Sequence, residues 1–148
     1  MSRHGLEIRA ATAADAPGLA ALLAVGGRGP DARALAERLS AMRDAAGATL
    51  LALQWGPPCG VIALHWHPTL EEDRPAAIVT TLLVGPDDRR LGIGRLLLKA
   101  AAQAARAAGC ARMALLAPAD APHLAEFCRA TGFAGEGEVF LRSLRRQG

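Results

Sequence analysis

The chain has 148 residues, 51% of them apolar and 21% charged, with a net charge of +3. That length and balance suit a single domain, residues 1–148, with room for a buried core, and the dispersed Gly and Pro exclude a fibrous or low-complexity chain. Two Trp, three Phe and no Tyr leave no base-stacking platform, so no nucleic-acid partner is expected. No apolar run reaches bilayer-spanning length and the first residues carry no secretory core, so no membrane association and a cytoplasmic location are the expectations.

Leu6, Ile8 and Ala10 alternate with Glu7 and Arg9, which predicts a half-buried first strand. Thr12 and Asp15 form a capping-box pair, and Leu19, Leu22 and Leu23 predict a short amphipathic helix behind it. The run Gly26-Gly27-Arg28-Gly29-Pro30 breaks that helix. Asp31 is then the N-cap of a second one, with Leu35, Leu39 and Met42 on one face and Gly47 at its end. Residues 49–55 and 59–67 predict a hairpin around Gly56-Pro57-Pro58. A loop over 68–75 carries Glu71, Glu72, Asp73 and Arg74.

An apolar strand is predicted over 78–84, closed by Gly85-Pro86-Asp87-Asp88. The following helix shows Arg95, Lys99, Gln103 and Arg106 as a polar stripe opposite Ile93, Leu97, Ala100 and Ala104. A strand over 112–116, a short helix over 121–130, the turn Thr131-Gly132 and a last strand over 139–144 complete the chain. The order β-α-α-β-β-β-α-β-α-β implies an α/β fold: one mixed, twisted central sheet flanked by helices. Cys59, Cys110 and Cys128 show neither paired nor metal-type spacing, which points to reduced, intracellular thiols.

Between the strand at 78–84 and the helix that follows lies Arg89-Arg90-Leu91-Gly92-Ile93-Gly94-Arg95. A strand, a basic glycine turn and a helix bring several unpaired backbone N–H groups to a helix N-terminus, a site for phosphate or pyrophosphate. Glycine lets a ligand approach the backbone closely. A dinucleotide fingerprint is disfavoured, because Leu97 stands where a third glycine belongs and the turn lies past mid-chain. No Gly-Lys-Ser/Thr follows, which excludes a Walker loop.

The chain resembles the GNAT N-acetyltransferase superfamily over nearly its whole length. The family's turn, Gln/Arg-x-x-Gly-x-Gly/Ala, is met by Arg89, Gly92 and Gly94. Ile8-Arg9-Ala10-Ala11-Thr12 with Asp15, Gly60-Val61-Ile62-Ala63-Leu64, and Phe127-Cys128-Arg129-Ala130-Thr131-Gly132-Phe133 match further segments in order. The resemblance implies a GNAT-like fold and acetyl-CoA as acyl donor. Leu82, Leu83 and Val84 would pair with the pantetheine arm like an added strand. Arg90, Leu91, Gly92, Ile93, Gly94 and Arg95 would hold the pyrophosphate through backbone amides, with charge added by Arg89, Arg90 or Arg95, and Phe127 would join the donor site. It further implies direct attack by a primary amine of a small-molecule acceptor; family members are often dimers, so the resemblance leaves a homodimer open. The stretch 64–70 followed by 78–84 is similar to aminoalkylphosphonate and aminoglycoside acetyltransferases.

The sequence departs from the family at two places. Many members carry Glu where Thr80 and Thr81 stand, and Tyr where Cys128 stands. A hydroxyl is no base at neutral pH, while a thiol can donate a proton to the departing thiolate. Cys128 is thus either that donor or a small buried residue. His65 and His67, two apart on one strand, point to one face and offer a replacement base. They equally fit half a metal site with Glu71 or Glu72, or plain strand-end polarity; lacking a third fixed ligand, no metal is expected. The acidic loop either attracts a cationic amine or is simply solvated. The same two departures leave open a catalytically degenerate acyl-CoA-binding sensor or scaffold.

Overall fold

The predicted order is realised up to its last strand. The computed structural model describes residues 5–27, 29–88 and 91–145, and the chain forms two units, Met1–Leu116 and Ala117–Gly148. The first unit runs β1 (Leu6–Ala10), α1 (Ala16–Val25), α2 (Ala32–Arg43), β2 (Gly47–Gln54), β3 (Pro58–His67), β4 (Ala76–Val84), α3 (Ile93–Ala107) and β5 (Arg112–Leu115). The second contains α4 (Pro122–Ala130). The strands lie in chain order in one sheet, β1-β2-β3-β4-β5. The first three pairings are antiparallel. β4 and β5 are parallel, which requires the long crossover that α3 supplies.

Local chemistry explains the helix starts. Asp15 accepts the Thr12 backbone N–H at 2.8 Å, forming the expected cap as a 3₁₀ turn, Ala13–Asp15, that leads into α1. The same carboxylate takes two hydrogen bonds from the Arg9 guanidinium, at 2.8 and 2.7 Å. This fork ties β1 to the start of α1 and holds the Asp15 carboxyl well below the usual carboxylate range. Asp31 caps α2 by accepting the Ala34 N–H at 2.8 Å. Gly47 does not end that helix; it opens β2, where a Cβ would collide with the Leu64 carbonyl oxygen.

Strand alternation sends the two faces of the sheet to different helices. Leu51 of β2 and Val61 of β3 join Ala16, Leu19 and Leu22 of α1 and Leu35 and Leu39 of α2 in one core. On the other face Ile62 and Leu64 are fully buried, and Gly60 lies directly under Ile93 and Leu97 of α3. The buried stripe of α3 passes through Ile93, Leu97, Leu98, Ala101 and Ala105. Ala100 and Ala104, expected there, are only half-buried. No described helix is long and apolar enough to cross a membrane.

The final strand expected over 139–144 does not form among the described residues. A strand requires a partner ladder for its backbone groups, and the approach to this one is broken by Gly137, at φ +71°. Val139, Phe140, Leu141 and Leu144 are consequently exposed.

Candidate active site

One end of the site is made of backbone. β4 pairs with β5 only from Ala76 to Val79, against Arg112 to Leu115, yet it continues to Val84. Thr80, Thr81, Leu82 and Leu83 therefore run on past the last β5 pair, and an extended, amide-bearing ligand can follow that edge as a strand would. The chain then turns, with the Gly85 N–H on the Cys59 carbonyl at 2.8 Å and the Asp88 N–H on the Gly85 carbonyl at 3.0 Å. Gly92 adopts a left-handed conformation, φ +80°, as the N-cap of α3, and no side chain caps that terminus. The first intrahelical bond runs from the Leu96 N–H to the Gly92 carbonyl at 3.1 Å. The N–H groups of Ile93, Gly94 and Arg95 consequently face outward at the positive end of the helix. Leu91 and Arg95 are exposed beside them and no acidic side chain lies between residues 91 and 95. This donor set fits a pyrophosphate, and with the strand edge it fits CoA. Arg89 and Arg90, expected to add charge there, lie outside the described residues.

The other end is made of side chains. Val61, Ala63 and His65 of β3 share the face that carries α1 and α2. Across β3 and β4, Ala63 faces Thr81 but Leu64 faces Val79, so Thr80 is an extra residue, a β-bulge. Alternation from Val79 sends Thr80 to the face of His65, and the pairing with Ala63 sends Thr81 there too. The bulge thus gathers two successive hydroxyls on one face. His65 Nε2 lies 3.0 Å from Thr80 Oγ1. Thr49, opposite Ala63 on β2, extends the hydroxyl floor. His65 is half-buried, whereas Thr80 is exposed.

The remaining candidates fare differently. His67 shares the strand face of His65, but its Nδ1 turns to the Pro68 carbonyl at 3.3 Å. Among the described residues no three His, Cys, Asp or Glu side chains are grouped to hold a metal ion. In the loop over 68–75, Glu72 pairs with Arg112 of β5, while Glu71 and Asp73 are exposed. In the second unit, Cys128 is buried on α4, and burial pushes its thiol pKa up. Its neighbour Phe127 is half-buried and its carbonyl accepts the Thr131 hydroxyl at 2.8 Å. Cys59 is buried as well and donates to the Ala52 carbonyl at 3.3 Å.

The approach of Thr80 to His65 is a feature that the sequence, read for bases alone, does not bring out. Its signal was present. Two polar residues in succession interrupt the apolar run at 78–84, and a strand that alternates cannot keep both on one face without a bulge.

A family model described as "Acetyltransferase (GNAT) family" matches residues 19–133. Among solved structures, a putative acetyltransferase from Agrobacterium tumefaciens superposes with a TM-score of 0.82 at 24% identity, covering 93% of this chain and 99% of that one. A ribosomal-protein-alanine N-acetyltransferase from Brucella melitensis gives 0.81 at 24% identity, with 95% and 100% covered. The aminoglycoside N-acetyltransferase AAC(6')-Iy, in complex with CoA, gives 0.82 at 19% identity, with 95% of each chain covered. No curated protein matches the sequence.

Proposed function

This chain belongs to the GNAT acetyltransferase family and is an N-acetyltransferase that uses acetyl-CoA; from that premise we propose that it acetylates a primary amine of a small molecule, with His65 as the base. The observation that carries the reading is the 3.0 Å approach of His65 Nε2 to Thr80 Oγ1. It joins an imidazole, which can take up a proton, to the strand segment that runs on past β5.

The chain's residues divide the work. Leu82, Leu83 and Val84 offer the donor's arm a strand to follow, and the amides of Ile93, Gly94 and Arg95 neutralise its pyrophosphate. A primary amine has a pKa near that of lysine, about 10, and reaches the site as ammonium. His65 takes the proton that must leave before nitrogen can attack the thioester carbonyl. The hydroxyls of Thr49 and Thr81 and the carboxylates of Glu71 and Asp73 suit a cationic, hydroxylated acceptor, in keeping with the aminoglycoside enzyme among the structural neighbours. Cys128 stands at the family position of the proton donor, and burial raises its thiol pKa.

Thiol release from acetyl-CoA tests the proposal, using a panel of amino sugars, diamines and N-terminal peptides from about pH 6 to about pH 9. Release with the small amines, abolished in His65→Gln, is the expected result. Turnover confined to the peptides contradicts the acceptor class.

A further inference from the structure

The pairing of His65 with Thr80 contains more than a base. We propose that the acceptor's proton reaches His65 through the Thr80 hydroxyl, so that Thr80 is a relay group of the reaction. This rests on the reading of His65 as the base.

Three observations lead there. First, the ring nitrogen nearest β4 is already engaged, with Nε2 3.0 Å from Thr80 Oγ1, within ordinary hydrogen-bond distance. Second, the two groups differ in access: Thr80 is exposed and His65 half-buried, so an acceptor arriving from solvent on this side meets the hydroxyl before the ring. Third, the contact depends on an irregularity of the sheet. Thr80 is the bulged residue, unpaired with any residue of β3, and it stands beside Thr81, which faces buried Ala63. Bulges re-aim side chains, and here the extra residue directs an oxygen at an imidazole.

The proton bookkeeping is simple. In the neutral ring protonated at Nδ1, Nε2 carries the lone pair and accepts the Thr80 O–H. The Thr80 oxygen keeps its own lone pairs towards the acceptor. As an ammonium N–H bond breaks, its proton forms an O–H bond at Thr80. The original Thr80 O–H bond breaks and its proton forms an N–H bond at Nε2. The products are a neutral amine, an unchanged threonine and an imidazolium, which returns its proton to water. No oxidant, metal or further reactant is involved. Threonine passes a proton without ever holding a charge, which is why its high pKa is no obstacle.

The arrangement also explains why Thr80 occupies an exposed position of a strand that is apolar apart from Thr80 and Thr81. Valine has the same shape and a higher strand propensity, but it cannot relay.

The test compares Thr80→Val, Thr80→Ser and His65→Gln in the full chain, measuring kcat, acetyl-CoA Kd and the solvent isotope effect as a function of deuterium fraction. The proposal predicts that Thr80→Val lowers kcat roughly 10- to 100-fold with Kd within about twofold, and that Thr80→Ser restores most of the rate. It also predicts a curved dependence on deuterium fraction in the wild type, from two protons moving together, that becomes linear in Thr80→Val. If Thr80→Val keeps wild-type kcat and curvature while His65→Gln is inactive, the relay is overturned and the base assignment stands. If His65→Gln also keeps wild-type turnover, the base assignment falls with it.

Discussion

The donor end and the acceptor end of β4 are built from different materials. From Leu82 through the glycine turn to Arg95, the proposed donor site consists of backbone amides and a helix terminus. Around Thr80 the proposed acceptor site consists of side chains that a bulge in β4 brings together. Backbone sites tolerate wide changes of side chain, provided that glycine stays where φ is positive, so the same donor can be held by very different sequences. Side-chain sites change with every substitution. A family can therefore keep its donor while its base and its acceptor vary, and this chain, with Thr80 and Thr81 where many members carry Glu and His65 as the proposed base, fits that pattern.

Substitutions can separate the two ends or show that they do not separate. The largest effect is expected where both depend on one element. Leu97 of α3 is fully buried against Gly60 of β3, and Leu97→Ala should cost about 2–5 kcal/mol of stability. Denaturant melts should show that loss, and the folded fraction should lose donor affinity and turnover together. Next is Gly92→Ala, which places a Cβ at φ +80° in the turn. It should cost about 1 kcal/mol of stability and weaken acetyl-CoA binding about tenfold, measured by titration calorimetry, while kcat at saturating donor stays within about twofold. A fall in kcat without a change in affinity would erase the division.

The smallest effect lies away from both ends. Arg9→Ala removes the fork on Asp15 and should cost about 1–2 kcal/mol at neutral pH, with donor affinity and kcat unchanged. The pH dependence has a definite sign. The folded-state pKa of Asp15 lies below its unfolded value, so the stabilisation is complete above the unfolded pKa, about 4, and fades as pH falls from there towards the depressed value. Thermal melts of wild type and Arg9→Ala should therefore differ at pH 7 and converge in acid.

What the sequence reveals follows the same division. The helices and the first five strands are legible because burial imposes either a period, as with Leu35 and Leu39 of α2, or a continuous apolar run, as from Cys59 to Leu64 of β3. The anion turn is legible because Gly92 and Gly94 mark it directly. The His65–Thr80 pair is not, since it depends on which β4 residue is left out of register, and register is a property of two strands at once. Gly47 misleads for a related reason: a glycine after a helix usually closes it, but here the close approach is to the Leu64 carbonyl across the sheet. The expected strand over 139–144 has suitable apolar residues, yet a strand is defined by its partner, and no local pattern supplies one.

The most direct test of the account is His65→Gln, with turnover and acetyl-CoA affinity measured on the same preparation. Glutamine keeps hydrogen-bonding capacity at this half-buried position but cannot take up a proton at neutral pH. The account predicts a loss of kcat of about 100-fold or more with the dissociation constant for acetyl-CoA within about twofold of wild type. Undiminished kcat, or a loss explained wholly by weaker acetyl-CoA binding, would contradict it.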